Sequence, residues 1–230
     1  MGKIVVAIDG VSSCGKSTMA KNLAKAVGYT YVDSGAMYRA ITFYALSHGF
    51  FRNDLVDEKL LRASLDQVDI SFQISPENGQ TETYLNGKNV EEEIRGMDVA
   101  NKVSQIAAID FVRHALVAKQ QQLGQKKGLV MDGRDIGTVV FPDAELKIFV
   151  KASAAVRAQR RLDELLAKGQ QATYEEVLEN VEQRDQMDIN RKVSPLRRAD
   201  DAIELDNTDL TIHEQQDWLL NQFKRVIEAG

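Results

Sequence analysis

A glycine-bounded loop near the amino terminus, Gly-Val-Ser-Ser-Cys-Gly-Lys-Ser at positions 10–17, limits the possible folds of this chain more than any other feature. The loop fits the pattern G-x-x-x-x-G-K-[ST], follows a short apolar run at 4–8 and precedes a helical pattern over 17–27. Its glycines let the backbone curl so that successive N–H groups converge on phosphate oxygens, and the helix adds its positive dipole end. Lys16 suits the β- and γ-phosphates, and the Ser17 hydroxyl is the expected Mg²⁺ ligand. The loop therefore predicts nucleoside triphosphate binding by Gly10, Val11, Ser12, Ser13, Cys14, Gly15, Lys16, Ser17 and Thr18.

Short apolar runs alternate with longer helical patterns along the chain, which is typical of a parallel sheet with helices on both faces. The sequence thus predicts an α/β fold with a five-stranded parallel sheet. The predicted strands lie at 4–8, 29–32, 129–131, 146–150 and 202–205. The predicted helices lie at 17–27, 35–46, 97–123 and 212–227.

One segment between the second and third predicted helices has a different period. Residues 69–90 alternate apolar and polar positions, and they contain Asn78-Gly79 and Asn86-Gly87. Asn-Gly is a strong signal for a tight hairpin turn. The pattern predicts a small antiparallel insert within 66–96.

Four of the five predicted strands end in an aspartate, namely Asp9, Asp33, Asp132 and Asp206. Ligands of open parallel sheets bind beyond the carboxyl ends of the strands, so these carboxylates are candidates for the site. Capping of the following helix or turn explains Asp9 and Asp206 equally well. Asp132 is either an indirect Mg²⁺ partner that acts through water or another cap.

Composition excludes several classes of protein. The 230 residues are 43% hydrophobic and carry a net charge of −5, which argues against a non-specific nucleic-acid binder. A single cysteine, Cys14, excludes an internal disulfide and fits a reducing compartment. No apolar run approaches the ~20 residues of a membrane span, so we expect a cytoplasmic protein with no membrane or nucleic-acid partner.

A phosphate-binding loop occurs in switches, motors and kinases, and other residues must distinguish them. The nearest match to the guanine-reading pattern Asn-Lys-x-Asp is Asn101-Lys102-Val103-Ser104, which lacks the aspartate. An aromatic content of 7% gives no sign of a groove for a polymer. A kinase of a small metabolite is favoured, while a nucleotide-dependent switch or binding module stays open as an alternative.

Arginines spread over the chain support a kinase, because phosphoryl transfer needs positioning and charge neutralisation more than covalent chemistry. Arg157 and Arg161 share one helical face, with Arg160 beside them. This face is either a mobile lid or a solvated helix paired with Asp163 and Glu164. The other candidate arginines are Arg39, Arg134, Arg184 and Arg191.

Four segments together resemble the bacterial cytidylate kinases, in the right order and over nearly the whole chain. They are Ile8-Asp9-Gly10, Asp33-Ser34-Gly35-Ala36-Met37-Tyr38-Arg39, Asp132-Gly133-Arg134-Asp135-Ile136-Gly137-Thr138, and the stretch from Arg184 to Arg191. Related adenylate, shikimate and gluconate kinases share only the phosphate loop and the general layout. Val11 stands where the family commonly has a proline, at a position whose side chain does not touch phosphate.

The resemblance implies binding residues for CMP. Ser104, Arg113 and Asp135 match the residues that read cytosine, although composition alone would place Ser104 and Arg113 on the surface. Arg184 and Asp188 match the sugar contacts, and Asp185, which is not matched, is expected to face solvent. The acceptor phosphate is expected to bind Arg39, Arg134 and Arg191, with Ser34 beside them.

The resemblance also implies a mechanism. Arg157 and Arg160 match lid arginines that approach the ATP phosphates, and the lid is expected within 153–192 of a single kinase domain over 1–230. Mg²⁺ would be held by Ser17 or Thr18. We expect a monomer that transfers the terminal phosphoryl group of ATP to CMP, and to dCMP, without a general base. A hydroxylated acceptor, as in shikimate-type kinases, is disfavoured by the phosphate-binding arginines.

Overall fold

The computed structural model describes residues 2–77, 79 and 81–229. Ten strands and eight helices are found within them. The strands are β1 Val5–Gly10, β2 Thr30–Asp33, β3 Phe51–Arg52, β4 Leu55–Val56, β5 Ile70–Ile74, β6 Thr81–Leu85, β7 Lys88–Asn89, β8 Leu129–Gly133, β9 Leu146–Lys151 and β10 Ile203–Asp206. The helices are α1 Lys16–Val27, α2 Ser34–Ser47, α3 Glu58–Ser64, α4 Met97–Ala107, α5 Asp110–Gly124, α6 Ala154–Ala167, α7 Tyr174–Asn190 and α8 Ile212–Ala229. Short helical turns lie at Leu65–Gln67, Glu93–Arg95 and Ile136–Val140.

The chain forms two compact units. The first contains the chain up to Tyr31 and from Leu123 onward, and the second is Val32–Gln122. The predicted five-stranded parallel sheet is confirmed, with the order β10-β9-β1-β8-β2. Strand β1 pairs in parallel with β8 and β9, and β9 pairs in parallel with β10. Every residue of β1 is buried, because helices cover both faces of a parallel sheet.

The core of the first unit explains the local folding near the phosphate loop. Strand residues such as Val6, Ile8 and Ile148 pack with Leu23 of α1 and Leu219 of α8. Helix α1 ends at Gly28, whose φ of 69° is a left-handed conformation that glycine adopts at little cost. Packing of α1 and α8 against the sheet therefore fixes the end of β1 and the start of α1, and the phosphate loop lies between them.

The second unit contains the predicted antiparallel insert. Strands β5 and β6 pair in antiparallel register from Ile70–Leu85 to Ile74–Thr81, which confirms the hairpin. Asn78 of its predicted turn lies outside the described residues. Asn86 and Gly87 both have positive φ, at 49° and 79°, as a two-residue hairpin turn requires. A second, very short hairpin of β3 and β4 was not predicted.

The prediction of one helix over 97–123 was wrong. The chain forms α4 and α5 instead, with Ala108 and Ile109 between them. Arg113 Nη1 donates to the Ala107 carbonyl oxygen at 2.8 Å, so a side chain replaces the helical partner of that carbonyl. Ile109 is buried in the core of the second unit, and the apolar pattern runs through the break without interruption. Among the described residues, no helix combines the length and apolarity needed to cross a membrane.

Candidate active site

The phosphate loop has the strand–loop–helix setting that its sequence predicts. A Cβ at Gly10 would lie 2.1 Å from the Val150 carbonyl oxygen of the neighbouring strand, so only glycine fits there. Gly15 has φ 87°, which glycine adopts without strain. Lys16 is the first residue of α1, only 6% exposed, and its Nζ donates to the Val11 carbonyl oxygen at 3.0 Å. The ammonium group is thereby held across the loop that would surround a phosphate.

Next to the loop, two hydroxyl groups fix the carboxylate of Asp132. Ser17 Oγ donates to Asp132 Oδ2 at 2.7 Å, and Tyr31 Oη donates to Asp132 Oδ1 at 2.8 Å. Asp132 is buried at the end of β8, whereas Thr18 is exposed on α1. A serine hydroxyl beside a fixed carboxylate is a hard oxygen donor set, and this chemistry suits Mg²⁺.

Mg²⁺ in phosphoryl-transfer sites takes few protein ligands and is completed by nucleotide phosphates and water. Within residues 2–77, 79 and 81–229, no three His, Cys, Asp or Glu side chains group as a metal site. The Ser17 hydroxyl, held beside the Asp132 carboxylate, fits an ion that the nucleotide helps to hold.

Two helices of the first unit reach the phosphate loop through a buried ion pair. The Nη1 atom of Arg157 on α6 lies 2.5 Å from the Oδ2 atom of Asp185 on α7. Asp185 Oδ1 accepts from the Ser12 N–H at 2.9 Å, and Arg157 Nη1 donates to the Ser12 carbonyl oxygen at 2.9 Å. The expectation that Asp185 faces solvent was wrong, since it is 7% exposed. The position of Asp185 within α7 could not reveal its burial, because only the folded chain brings the phosphate loop beside this helix.

Arg160, the other predicted lid arginine on α6, contacts the loop through Asn207. Its Nη1 donates to Asn207 Oδ1 at 3.1 Å, and its Nη2 donates to the Asn207 carbonyl oxygen at 2.9 Å. Asn207 is fully buried and its Nδ2 donates to the Cys14 carbonyl oxygen at 2.7 Å. The adjacent Arg161 instead pairs with Glu164 at 2.8 Å, as the solvated-helix alternative predicts. Sequence reasoning missed Asn207, and its place directly after a strand-end aspartate was the available signal.

A group of arginines surrounds Asp188 on α7. Arg134 Nε donates to Asp188 Oδ2 at 2.7 Å, and Arg191 Nη1 lies 3.5 Å from Asp188 Oδ1. Burial of the Asp188 carboxylate opposes ionisation, but Arg134, Arg191 and Arg184 together lower its pKa. Burial, and then the nearby charge of Arg134, lower the pKa of Arg184 to about 10. The site thus concentrates positive charge that a phosphate would relieve.

Asp135 belongs to the same group of predicted CMP residues. It is buried directly after Arg134, and its Oδ1 lies 3.6 Å from Arg191 Nη2. Four of the predicted CMP-binding residues are therefore brought together by the first unit, with Arg184 beside them: Arg134, Asp135, Asp188 and Arg191.

The remaining predicted CMP-binding residues belong to the second unit. Ser34 is the buried first residue of α2, and Arg39 Nη1 donates to the Ile94 carbonyl oxygen at 3.1 Å. Ser104 and Arg113 are both buried, so the surface position that composition suggests was wrong for both. The Arg113 guanidinium, at 1% exposure, lies 5.3 Å from the ring centroid of Tyr38. Arg113 therefore carries its charge into the interior, although arginine is a residue type that mostly lies on the surface.

Asp33 and Asp9 act as strand-end acceptors. Asp33 Oδ1 caps α2 by accepting from the Ala36 N–H at 3.0 Å, and Asp33 Oδ2 lies 2.8 Å from Arg95 Nη2. Asp9 accepts from the backbone N–H groups of Ile136 and Gly137 at 2.8 and 2.7 Å. Despite these donors, burial raises the pKa of Asp9 from 3.8 to about 7. Asp206 accepts from Thr208 in the turn after its own strand, so the capping alternative holds for Asp206. It does not hold for Asp9, whose donors belong to the distant turn Ile136–Val140.

The parallel sheet, the glycine loop with Lys16 and the arginine group define a phosphate-loop kinase of the α/β class. Comparison with known proteins makes the assignment narrower. A family model described as cytidylate kinase matches residues 6–225. The chain belongs to the cytidylate kinase family and is a nucleoside monophosphate kinase.

Individual cytidylate kinases align with this chain over its full length. A cytidylate kinase of Parabacteroides distasonis is 63% identical over 227 residues, covering 99% of each chain. A cytidylate kinase of Bacteroides fragilis is 61% identical over 229 residues, covering 100% of each chain. A cytidylate kinase of Bacteroides thetaiotaomicron is 60% identical over 228 residues, covering 99% of this chain and 100% of the other.

Proposed function

We propose that this enzyme transfers the terminal phosphoryl group of ATP to CMP, and to dCMP, giving ADP and the corresponding diphosphate. The observation that carries the proposal is the convergence of Arg134, Arg184 and Arg191 on the single carboxylate of Asp188. The three guanidinium groups are opposed by two carboxylates, that of Asp188 and that of Asp135, which lies 3.6 Å from Arg191. One positive charge is thus left for the phosphate of an acceptor nucleotide. The names of the relatives, which share the chain over its whole length, support cytidine nucleotides as acceptors.

The donor triphosphate is assigned to the phosphate loop. Lys16 would contact the β- and γ-phosphates, and Ser17, with Asp132 behind it, would ligate Mg²⁺. The ion, when bound, neutralises charge on the phosphate oxygens. Arg157 and Arg160 would approach the triphosphate when the segment 153–192 closes and excludes water, so that transfer is faster than hydrolysis.

The acceptor phosphate is assigned to Arg39, Arg134 and Arg191, with Ser34 as a hydroxyl donor. Planar guanidinium groups can bind a phosphate through two parallel N–H bonds, which fixes the direction of the attacking oxygen. A phosphate oxygen of CMP is already anionic near neutral pH. The transfer therefore needs no general base from the protein.

The base is assigned to Ser104, Arg113 and Asp135. Cytosine offers an exocyclic amine next to ring-nitrogen and carbonyl acceptors, so a carboxylate suits the amine and an arginine suits the acceptors. Uracil has a carbonyl in place of the amine and would leave Asp135 facing an acceptor, at a cost of about 1–3 kcal/mol. Arg184 and Asp188 are assigned to the ribose hydroxyls.

The test is a coupled ADP-release assay with ATP–Mg²⁺ and CMP, dCMP, UMP or AMP offered separately. Fast turnover with CMP, slower turnover with UMP and the slowest with AMP is expected. Lys16→Ala should lower kcat by orders of magnitude while the protein stays folded, and the exposed Lys25→Ala on the same helix is the matched control. Turnover with none of the four nucleotides would overturn the acceptor assignment, and a near-normal rate in Lys16→Ala would overturn the donor assignment.

A further inference from the structure

Asp185 is bound to the phosphate loop more directly than the proposed function requires. Its Oδ1 accepts from the Ser12 N–H of the loop, and its Oδ2 pairs with Arg157 of α6. Arg157 in turn donates to the Ser12 carbonyl oxygen, and its Nε donates to the Ala152 carbonyl oxygen at 2.9 Å. The ion pair therefore holds both backbone polar groups of Ser12.

The peptide bond between Val11 and Ser12 connects Asp185 to Lys16. No cis peptide bond is present in the described chain, and in a trans peptide the C=O and N–H groups point to opposite sides. The Ser12 N–H of this peptide donates to Asp185, and its other edge, the Val11 carbonyl oxygen, accepts from Lys16 Nζ at 3.0 Å. A rotation of this peptide would break both contacts together.

The next peptide is fixed in the same manner. The Ser12 carbonyl oxygen accepts from Arg157, so the N–H of Ser13 points to the opposite side of that peptide plane. Ser13 has φ 56°, a left-handed conformation that a serine adopts only when its surroundings impose it. Arg157 and Asp185 thus set the direction of a loop N–H group as well as the place of the lysine.

We propose that Asp185 is a positioning residue for phosphoryl transfer, which acts through Arg157 and the two Ser12 peptides to place Lys16 and the N–H groups of the phosphate loop. This role rests on the proposed function of the loop as the ATP site. Both carboxylate oxygens of Asp185 are bound by Ser12 and Arg157, so its role is exerted through these two residues. Its neighbours on α7, Arg184 and Asp188, belong to the proposed CMP site, so α7 links the donor loop to acceptor residues of the same unit.

The proposal is tested with Asp185→Asn, and Asp163→Asn is the matched control. Asp163 is exposed on α6 and accepts from Gln159 in the same helix. MgATP binding is measured by isothermal titration calorimetry without an acceptor, CMP binding is measured without a donor, and thermal unfolding is followed in parallel. For Asp185→Asn we expect MgATP binding weaker by about 10–100-fold, as loss of a charge-assisted hydrogen bond predicts. We expect kcat lower by about 100-fold, as misplacement of reacting groups predicts.

A structural role alone would weaken both ligands, whereas a positioning role at the loop leaves CMP binding no weaker than in wild type. Unchanged MgATP binding in a folded Asp185→Asn protein, or an equal loss of MgATP and CMP binding, would overturn the proposal. Removal of one partner also leaves a buried charge, so folding itself can fail.

For that case the double variant Arg157→Gln/Asp185→Asn keeps a neutral hydrogen-bonded pair. It should fold and bind MgATP at least as weakly as expected for the single variant, and wild-type affinity would overturn the proposal. Because the main readout is MgATP binding without acceptor, it is independent of the CMP assignment. A wild-type protein that binds MgATP but leaves CMP unphosphorylated would contradict the proposed acceptor only.

Discussion

Ser17 and Asp132 are 115 positions apart in the sequence, yet the Ser17 hydroxyl donates to the Asp132 carboxylate at 2.7 Å. The second oxygen of that carboxylate accepts from Tyr31 at 2.8 Å, so Asp132 cannot rotate without losing a hydrogen bond. In the proposed Mg²⁺ site, this fixed carboxylate would orient the lone pairs of the Ser17 hydroxyl and increase its basicity. The parallel pairing of β1 with β8 places these groups at the same edge of the sheet.

Asp132→Asn should therefore raise the free Mg²⁺ concentration that gives half-maximal activity. Loss of such an outer partner typically lowers metal affinity or activity by about 10–100-fold. ADP release is measured against free Mg²⁺ at saturating ATP and CMP, with Asp206→Asn, an exposed strand-end aspartate, as the control. A Mg²⁺ dependence equal to wild type would exclude Asp132 from the metal site.

Asp135→Asn should reduce the preference for CMP over UMP. An asparagine has one acceptor oxygen where the aspartate has two, so the cytosine amine of CMP loses an anionic acceptor. The asparagine NH₂ can instead donate to the uracil carbonyl, so UMP loses a repulsive contact. The ratio of kcat/KM values for CMP and UMP should fall by about 10–100-fold, which corresponds to about 1–3 kcal/mol. Asp143→Asn, an exposed change eight positions later, is the control. A preserved ratio with a lower rate for both nucleotides would contradict base reading by Asp135.

Arg95→Met should destabilise the second unit. Burial of Asp33 opposes ionisation, but Arg95 keeps the pKa of Asp33 below its ordinary value of 3.8. Arg95 also donates to Glu91, whose other oxygen accepts from Thr83 of β6. Its loss leaves Asp33, the cap of α2, without its guanidinium partner, and the expected cost is about 1–3 kcal/mol.

The pH dependence of this effect has a defined sign. A carboxyl group with a lowered folded pKa contributes stability above its unfolded pKa, and this contribution is lost as the pH falls through the folded pKa. Urea unfolding should therefore show the full difference between wild type and Arg95→Met at neutral pH and a smaller one in acid. Arg52→Met, an exposed change in the same unit, should leave stability nearly unchanged. A difference that grows in acid would contradict the role of the ion pair.

The features that the sequence predicted correctly are those with local causes. The loop at 10–17 lies between one strand and one helix, so its glycine spacing and the alternation of apolar runs were sufficient to predict β1, α1 and the parallel sheet. The Asn86-Gly87 turn was equally local, since both residues tolerate positive φ.

The features that the sequence could not predict depend on distant partners. The break at Ala108 is stabilised by Arg113 and by burial of Ile109, and neither effect alters the helical pattern. Asp185 was expected in solvent because nothing in its own helix indicates that Ser12 lies beside it. Asn207 directly follows the strand-end Asp206, but this position alone does not reveal its partners Cys14 and Arg160, which are far away in the sequence.

Asp9 provides a prediction of opposite sign to that for Asp33. It is 5% exposed, and burial raises its pKa from 3.8 to about 7 although Ile136 and Gly137 donate to it. A carboxyl group with a raised folded pKa contributes stability that is fully present below its unfolded pKa and is lost as the pH rises through the folded pKa. The free energy of unfolding of wild type minus that of Asp9→Asn should therefore fall as the pH rises from about 4 to about 7, at up to about 1.4 kcal/mol per pH unit. Urea unfolding at several pH values gives this difference, and Asp143→Asn should show no such trend. A difference that rises with pH would mean that the two N–H donors outweigh burial and keep Asp9 ionised.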